Sequence, residues 1–398
     1  MDLNAVLRRA VESGASDVHF KVGQPPVLRR DGQLAPAQEF PPLGDLELEL
    51  VVEQVTRAAP RRRLAFEETG DLDIAYSEPG LPRFRVNGFR QRGAISFAFR
   101  VIPNRIPGFD ALHLPPGVAR LADEHRGLVL VTGATGSGKT TTLAAMVDHI
   151  NRTRKHHIVT IEDPIEILHR DQGCIVNQRE IGLDTESFAQ ALRRVLRQDP
   201  DVILIGELRD AETAQVALQA AESGHLVFST LHTLDAAETI GRMVEFFPHE
   251  KQPQVISIMA GVLRGVVSQR LLPRLGGGRI PAVEVMVTNA RIAELIRERR
   301  TQEISAAIEE GEFFQMQTFS NALIELVLTE LVDRETAANA ATNRHDFIVA
   351  LERALKVRRA GEAEPAPAVE PEKVTTLMPG TGTMRRSDSG DAAAPAAG

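Results

Sequence analysis

The residues best suited to chemistry are Gly133-Ala134-Thr135-Gly136-Ser137-Gly138-Lys139-Thr140, followed by Thr141. They match the phosphate-binding pattern G-x-x-x-x-G-K-[ST]. An apolar run, Leu128–Val131, precedes them and a helix-like segment, Thr141–Val147, follows, which is the strand–loop–helix context the pattern requires. Glycines let backbone N–H groups turn inward and approach anionic oxygens. The helix N-terminus behind them adds partial positive charge. Lys139 can reach the β- and γ-phosphates, and the Thr140 hydroxyl can ligate Mg²⁺. The expectation is ATP binding with Mg²⁺.

Hydrolysis needs carboxylates as well, one to hold the Mg²⁺ shell and one to orient or deprotonate the attacking water. In open parallel sheets ligands bind beyond the carboxyl ends of the strands. The apolar segment Ile158–Ile161 runs into Glu162-Asp163-Pro164, with Glu166 soon after, and Val202–Ile205 runs into Gly206-Glu207. Glu207 is the first choice for polarising water or holding Mg²⁺, and Glu162 is the candidate general base. Acids at strand ends also cap the following helix; two in this order after a phosphate loop favour catalysis. A fourth segment, Leu226–Thr230, is bracketed by His225 and His232. Their spacing matches no zinc motif. His225 reads equally well as a core histidine, whereas His232 stands where a γ-phosphate sensor would.

The elements that must position these groups fall into two patterns. Residues 1–100 mix helix and antiparallel strand signals. Leu3, Val6, Leu7, Ala10 and Val11 share a helical face, Asp17–Val22 reads as a strand, and Val27–Leu34 as a hairpin across Asp31-Gly32. A helix-like stretch near Leu46–Phe66 follows, then strands Arg83–Phe89 and Ala94–Ile102 about Gly93. That predicts a small α+β domain. Residues 101–117, with Pro103, Pro107, Pro115 and Pro116, read as a linker. From 118 to 357 apolar strands alternate with helices, predicting a parallel sheet covered on both faces and then helices to about Val357. Residues 358–398 are rich in Ala, Pro and Gly without apolar periodicity and read as a disordered tail.

The 398 residues are 43% hydrophobic and 25% charged, an ordinary globular balance for two domains. No apolar run approaches a membrane span, and Met1-Asp2-Leu3-Asn4 lacks a signal-peptide pattern. Cys174 is the single cysteine, which excludes an internal disulfide and a thiol-based zinc finger. A cytoplasmic protein is expected. The formal net charge of −8 gives no support for nucleic-acid binding.

Taken together these residues resemble the secretion-type hexameric ATPases, and within them the retraction ATPases of type IV pili (the PilT/PilU group). The resemblance covers about residues 1–355. It rests on Ala15-Ser16-Asp17-Val18-His19-Phe20, the Walker A loop Gly133–Thr140, an Asp box at Thr160–Glu166, an atypical Walker B at Asp199–Glu207 and a His box at Gly224–Thr233. It implies an N-terminal PAS-like α+β domain followed by a RecA-like P-loop NTPase domain, in a homohexamer. Nucleotide would lie between the two domains, with neighbouring subunits completing the site. Arg85 and Arg100 resemble the family's phosphate-directed arginines; surface salt bridges are the alternative for both. The family implies docking on an inner-membrane platform protein at the pilus base, and partnership with a paralogous retraction ATPase.

Assembly ATPases of this superfamily carry a four-cysteine zinc insert, which one cysteine argues against. The family's retraction motif, Ala-Ile-Arg-Asn-Leu-Ile-Arg-Glu, aligns with Arg291–Glu298 at five of eight positions, with Ala293 and Glu294 departing where the family has Arg-Asn. Gly206-Glu207-Leu208-Arg209-Asp210 and the His box are similar to the motor branch. Gly173-Cys174-Ile175-Val176, Gly182-Leu183-Asp184 and Ala134 are similar to the accessory branch. The motor reading is favoured. A RecA-like nucleic-acid motor would need a basic channel with stacking aromatics; there is no Trp and Tyr76 is the only tyrosine. A non-hydrolysing regulatory subunit is disfavoured because Lys139, Thr140, Glu162 and Glu207 are all present.

Overall fold

The N-terminal helix α1 (Leu3–Glu12) starts where the Asp2 carboxylate accepts from the Ala5 backbone N–H, and it buries Leu3, Val6, Leu7 and Ala10. Val11, on the same face, is only partly covered. This computed structural model describes residues 1–30, 32–102 and 106–363. After α1 come β1 (Asp17–Lys21), β2 (Val27–Arg30) and β3 (Gln33–Pro36), then α2 (Asp45–Thr56) and α3 (Pro60–Thr69), then β4 (Asp71–Tyr76), β5 (Phe84–Gln91) and β6 (Ala94–Val101). They form a six-stranded sheet in the order β3-β2-β1-β6-β5-β4. Every neighbouring pair in it is antiparallel. The period of two sends Leu72, Ile74 and Tyr76 of β4 inward and Asp71 and Asp73 outward. The core here is aromatic: Phe20 meets Phe99 edge-to-face at 5.2 Å, with Phe84 and Phe97 alongside.

Two features of this region differ from expectation. The single helical stretch is two helices, broken before Pro60, which sits at the first position of α3. Strand β4 is additional to the expected strands, and its outward residues, Asp71 and Asp73, are of a type depleted in strands. Asp31 of the expected turn lies outside the described residues; Gly32 beside it has φ +82°.

The second region comprises α4 (Pro116–Ala122), β7 (Gly127–Thr132), α5 (Lys139–Thr153), β8 (His157–Glu162), β9 (Ile175–Glu180), α6 (Phe188–Val195), β10 (Val202–Ile205), α7 (Ala211–Glu222), β11 (Leu226–Leu231), α8 (Ala236–Glu245) and α9 (Gln252–Val262). Next are β12 (Leu263–Pro273), β13 (Arg279–Val287), α10 (Ala290–Arg297), α11 (Ile304–Glu309), α12 (Phe319–Leu328), α13 (Arg334–Ala340) and α14 (Arg344–Ala363). A seven-stranded sheet runs β13-β12-β7-β11-β10-β8-β9. Strands β7, β10 and β11 are buried along their whole length, as their continuous apolar runs require.

The expected parallel sheet is therefore a mixed one, extended at both edges. Strand β13 pairs antiparallel with β12, in a stretch expected to be helical. Strand β12 begins at the residue after α9 ends, and the stretch Val262–Val267, with Arg264 and Gly265 inside it, follows neither the helical nor the strand period cleanly. Strand β9, beyond the expected strands, is an edge strand whose sequence, Ile175–Glu180, turns polar along its length. Helix α14 continues to Ala363, past the expected end near Val357. The rest of the expected tail, residues 364–398, and residues 103–105 of the expected linker lie outside the described residues. Elsewhere in that linker Leu114 is buried in the second core, and the Phe109 ring packs tilted against His149 of α5 with centroids 5.2 Å apart. Met1–Glu352 form one body. No helix among the described residues is long and apolar enough to cross a membrane.

Candidate nucleotide site

Strand β7 ends at Thr132, and the chain turns at Gly133 with φ +139°. A Cβ there would lie 2.4 Å from the Gln269 carbonyl oxygen of β12 and 2.6 Å from Ser137 Oγ, so only glycine fits. Gly138, at φ +94°, is the N-cap of α5. The loop's amides thus lie at a helix N-terminus. Lys139 Nζ curls back to donate to the carbonyls of Gly133 (2.8 Å) and Ala134 (3.1 Å). Burial lowers its pKa, partly offset by Glu207 and Glu166. Ser137 Oγ is buried without a hydrogen-bond partner, and so is Gln269 Oε1. Gln269 Nε2, by contrast, donates to Thr142 Oγ1 at 2.9 Å. A buried hydroxyl with no acceptor inside a glycine loop is what an anionic oxygen would satisfy.

Strands β8, β10 and β11 are parallel to β7 in register, so their carboxyl ends come to one edge. Glu162 ends β8. Its Oε1 accepts from Thr160 Oγ1 at 2.6 Å and from Gln178 Nε2 at 3.1 Å. Burial raises its pKa against these hydrogen bonds. Glu207 follows Gly206 after β10 and accepts from Arg209 and, at 3.4 Å, from His232 Nε2. Burial pushes the Glu207 carboxyl up, but the Arg209 hydrogen bond and charge, with His232 behind them, leave it below its ordinary value. His232 stands just past β11, while His225 stands at the opposite end of the strand, bonded to the Ala220 carbonyl at 3.0 Å. The two histidines cannot share an ion.

These groups line a cleft of about 720 Å³ whose other wall is the first sheet, through Arg85 and Arg100. Arg85 of β5 and Arg100 of β6 are direct cross-strand partners, and Asp17 of β1 is the next partner along. Like charges placed opposite each other repel. Here Asp17 accepts from Arg100 Nε at 2.9 Å, and Arg85 pairs with Asp73 at 3.0 Å and with Glu166 at 3.6 Å. The Arg100 side chain stays 72% exposed. Both arginines therefore line the cleft, and each is engaged by a carboxylate there.

Three further contacts escaped sequence reading. Arg83 forms an ion pair with Glu180 of β9, buried to 10% and 4% exposure, and Glu180 also accepts from the Ile165 N–H at 3.1 Å. Arg62 donates to the Ile181 carbonyl at 3.1 Å. Arg209 grips Glu207 from two residues on. Only Arg209 carried a signal, its adjacency to a candidate catalytic acid. Arg62 and Arg83 meet β9 and its flank, a strand whose sequence carries little strand signal.

A family model for type II/IV secretion system proteins matches residues 113–277. The chain is 44% identical to the type IV pilus retraction ATPase PilT of Pseudomonas aeruginosa over 347 residues, covering 87% of this chain and 100% of that one. It is 39% identical to the type IV pilus ATPase PilU of the same organism, covering 87% of this chain and 90% of that one. The crystal structure of the pilus retraction motor PilT with bound ADP superposes with a TM-score of 0.81, covering 87% of this chain and 98% of that one at 44% identity.

Proposed function

We propose, since the chain belongs to the family of type II/IV secretion ATPases that includes PilT and PilU, that it is a motor ATPase driving type IV pilus retraction and twitching motility. The observation that carries this is the convergence on one cleft of the glycine loop, the two acids Glu162 and Glu207, and the paired arginines of the other sheet. The domain reading follows it: a PAS-like domain over residues 1–100, a linker over 101–117, and a RecA-like domain over 118–357.

Residue roles follow from chemistry. The loop amides and Lys139 bind the β- and γ-phosphates, Lys139 exchanging its two loop carbonyls for phosphate oxygens. Glu162, its carboxylate made more basic by burial, takes the proton of the attacking water. Glu207, kept ionised by Arg209 and His232, orients that water or the metal shell. His232 reports the γ-phosphate through Glu207. Arg85 and Arg100 offset phosphate charge once released from their carboxylates. Mg²⁺ fits here, because the Thr140 hydroxyl and an ionised Glu207 are hard oxygen donors across the cleft; when bound it neutralises charge on the phosphates.

The working form is a homohexamer in the cytoplasm, held peripherally at the inner membrane by the platform protein of the pilus base. Nucleic acid has no part in it. A second reading, the accessory PilU-like role, draws on the 39% identity to PilU over the same share of the chain. The experiment that tests the proposal is deletion of this gene alone with fibres watched by microscopy, alongside sedimentation and phosphate release by the purified chain. Fibres that extend but cease to retract, a hexamer and Mg²⁺-dependent ATPase activity are expected. Normal retraction in the deletion strain shifts the role to the accessory one, and a fully active monomer contradicts the ring.

A further inference from the structure

We infer that Gln178 and Thr160 are positioning residues that aim the Glu162 carboxylate at the cleft. The inference rests on the proposed role of Glu162 as the base. Gln178 sits on β9, in register with Thr160 of β8. Its amide is fixed at both ends. Oε1 accepts from the His169 backbone N–H at 2.8 Å, and Nε2 donates to the Ile167 carbonyl at 2.9 Å and to Glu162 Oε1 at 3.1 Å. A backbone N–H can only donate and a carbonyl only accept, so these partners assign the amide orientation without ambiguity. The residues 167–169 held this way belong to the segment that leaves Glu162 and returns as β9.

Thr160 is wholly buried on β8. Its hydroxyl donates to the same Glu162 oxygen, Oε1, at 2.6 Å. One carboxylate oxygen offers two lone-pair sites. Both on Oε1 are therefore taken, and proton acceptance falls to Oε2. The Glu166 backbone N–H also favours the charged form of Glu162. The surrounding charges are Glu166, its partner Arg85, and Lys139 and Glu207 among the other cleft-lining groups. The side-chain donors to Oε1 are Thr160 and Gln178. A general base works only when its free oxygen points at the water within hydrogen-bond reach. Fixing one oxygen from two strands restricts rotation of the carboxylate about its Cγ–Cδ bond, which a single contact would leave free.

The test uses the full-length chain under ring-forming conditions, with kcat, KM for ATP, ADP affinity and melting temperature measured for each variant. Gln178→Met keeps the side-chain length and loses both donor and acceptor. Thr160→Val keeps the shape and loses the hydroxyl, and Thr160→Ser restores it. Gln178→Met and Thr160→Val are each expected to lower kcat by about 10- to 100-fold, the scale of a misaimed catalytic group. KM and ADP affinity should stay within about twofold. Thr160→Ser should recover most of the rate. Adding Gln178→Met to Glu162→Gln should cost nothing further, because the residue acts through Glu162. Wild-type kcat in Gln178→Met and Thr160→Val, with Glu162→Gln inactive, overturns the positioning role. So does a loss of ADP affinity that matches the loss of kcat, which marks a merely structural contact. Near-normal turnover in Glu162→Gln overturns instead the reading of Glu162 as the base. Should Gln178→Met fail to fold, the Thr160→Val and Thr160→Ser pair decides the question alone.

Discussion

In the six-stranded sheet every pair of neighbours is antiparallel, whereas in the seven-stranded sheet only β12 and β13 are. Parallel strands deliver all their carboxyl ends to one edge. The glycine loop after β7, Glu162 on β8, Glu207 after β10 and His232 after β11 therefore meet without any strand bending toward another. Antiparallel strands alternate direction, so the loops of the first sheet cannot gather in this way. It contributes through side chains along its strands instead, in the row Asp17–Arg100–Arg85 set by the register. One sheet builds geometry at its edge, and the other presents charge on its face. The regions are joined by arginines of the first that grip β9 and its flank in the second.

The largest effect that can break this comparison lies at that junction. Arg83→Ala leaves Glu180 buried without its counter-charge, which typically costs about 3–5 kcal/mol. A melting temperature several degrees lower is expected by calorimetry, with Arg83→Ala together with Glu180→Ala less damaging than the single change. An unaltered melting temperature would mean that the first sheet does not depend on β9.

Next in size is chemistry at the parallel edge. Glu207→Gln keeps the volume and loses the charge that Arg209 and His232 hold in place. It should still bind ATP, with turnover reduced by about 10²–10³. Turnover near normal, combined with a lower melting temperature, would make Glu207 a cap rather than part of the site.

Smaller still is a pH effect from the mixed part of the sheet. Burial pushes Glu284 of β13 up to about 7, against the Ala236 N–H that it accepts at 2.9 Å. Its folded value stands above its unfolded one, so the folded state binds the proton more tightly. Stability from this group is present below about pH 4.5 and is lost as pH rises through about 7. The size is roughly 3 kcal/mol, at 1.36 kcal/mol per pKa unit. Denaturant titrations of Glu284→Gln from acid to mildly alkaline pH should lose that slope, and an unchanged slope would assign it elsewhere.

The smallest effects belong to the charged face. Arg85→Ala and Arg100→Ala should each weaken nucleotide affinity by less than about tenfold, because the contacts are solvent-screened. The loss should shrink as salt rises. A loss of turnover as large as that of Glu207→Gln would place these arginines in the chemistry itself.

What the sequence makes legible follows the same division. The apolar runs of β7, β8, β10 and β11 have only one sensible reading, and the acids that end them are visible because parallel strands put function at their termini. Strand β4 alternates Leu72, Ile74 and Tyr76 with outward aspartates in a run of only six residues, β9 turns polar along its length, and β12 continues directly from α9, so local pattern marks these strands weakly. The roles of Gln178, Arg83 and Glu180 depend on which strands become neighbours, a long-range property that local spacing does not carry. Arg85 and Arg100 were found by resemblance; their pairing with Asp17, Asp73 and Glu166 is visible only in the folded sheet.

The most direct test of the central claim is a paired measurement of nucleotide affinity and Mg²⁺-dependent phosphate release on Lys139→Ala. Lys139 is the only lysine in the glycine loop, and the proposed role has it leave the Gly133 and Ala134 carbonyls for the phosphates. The account predicts a folded chain with weakened nucleotide binding and no measurable turnover. Undiminished hydrolysis by that variant would remove the loop from the mechanism and contradict the account.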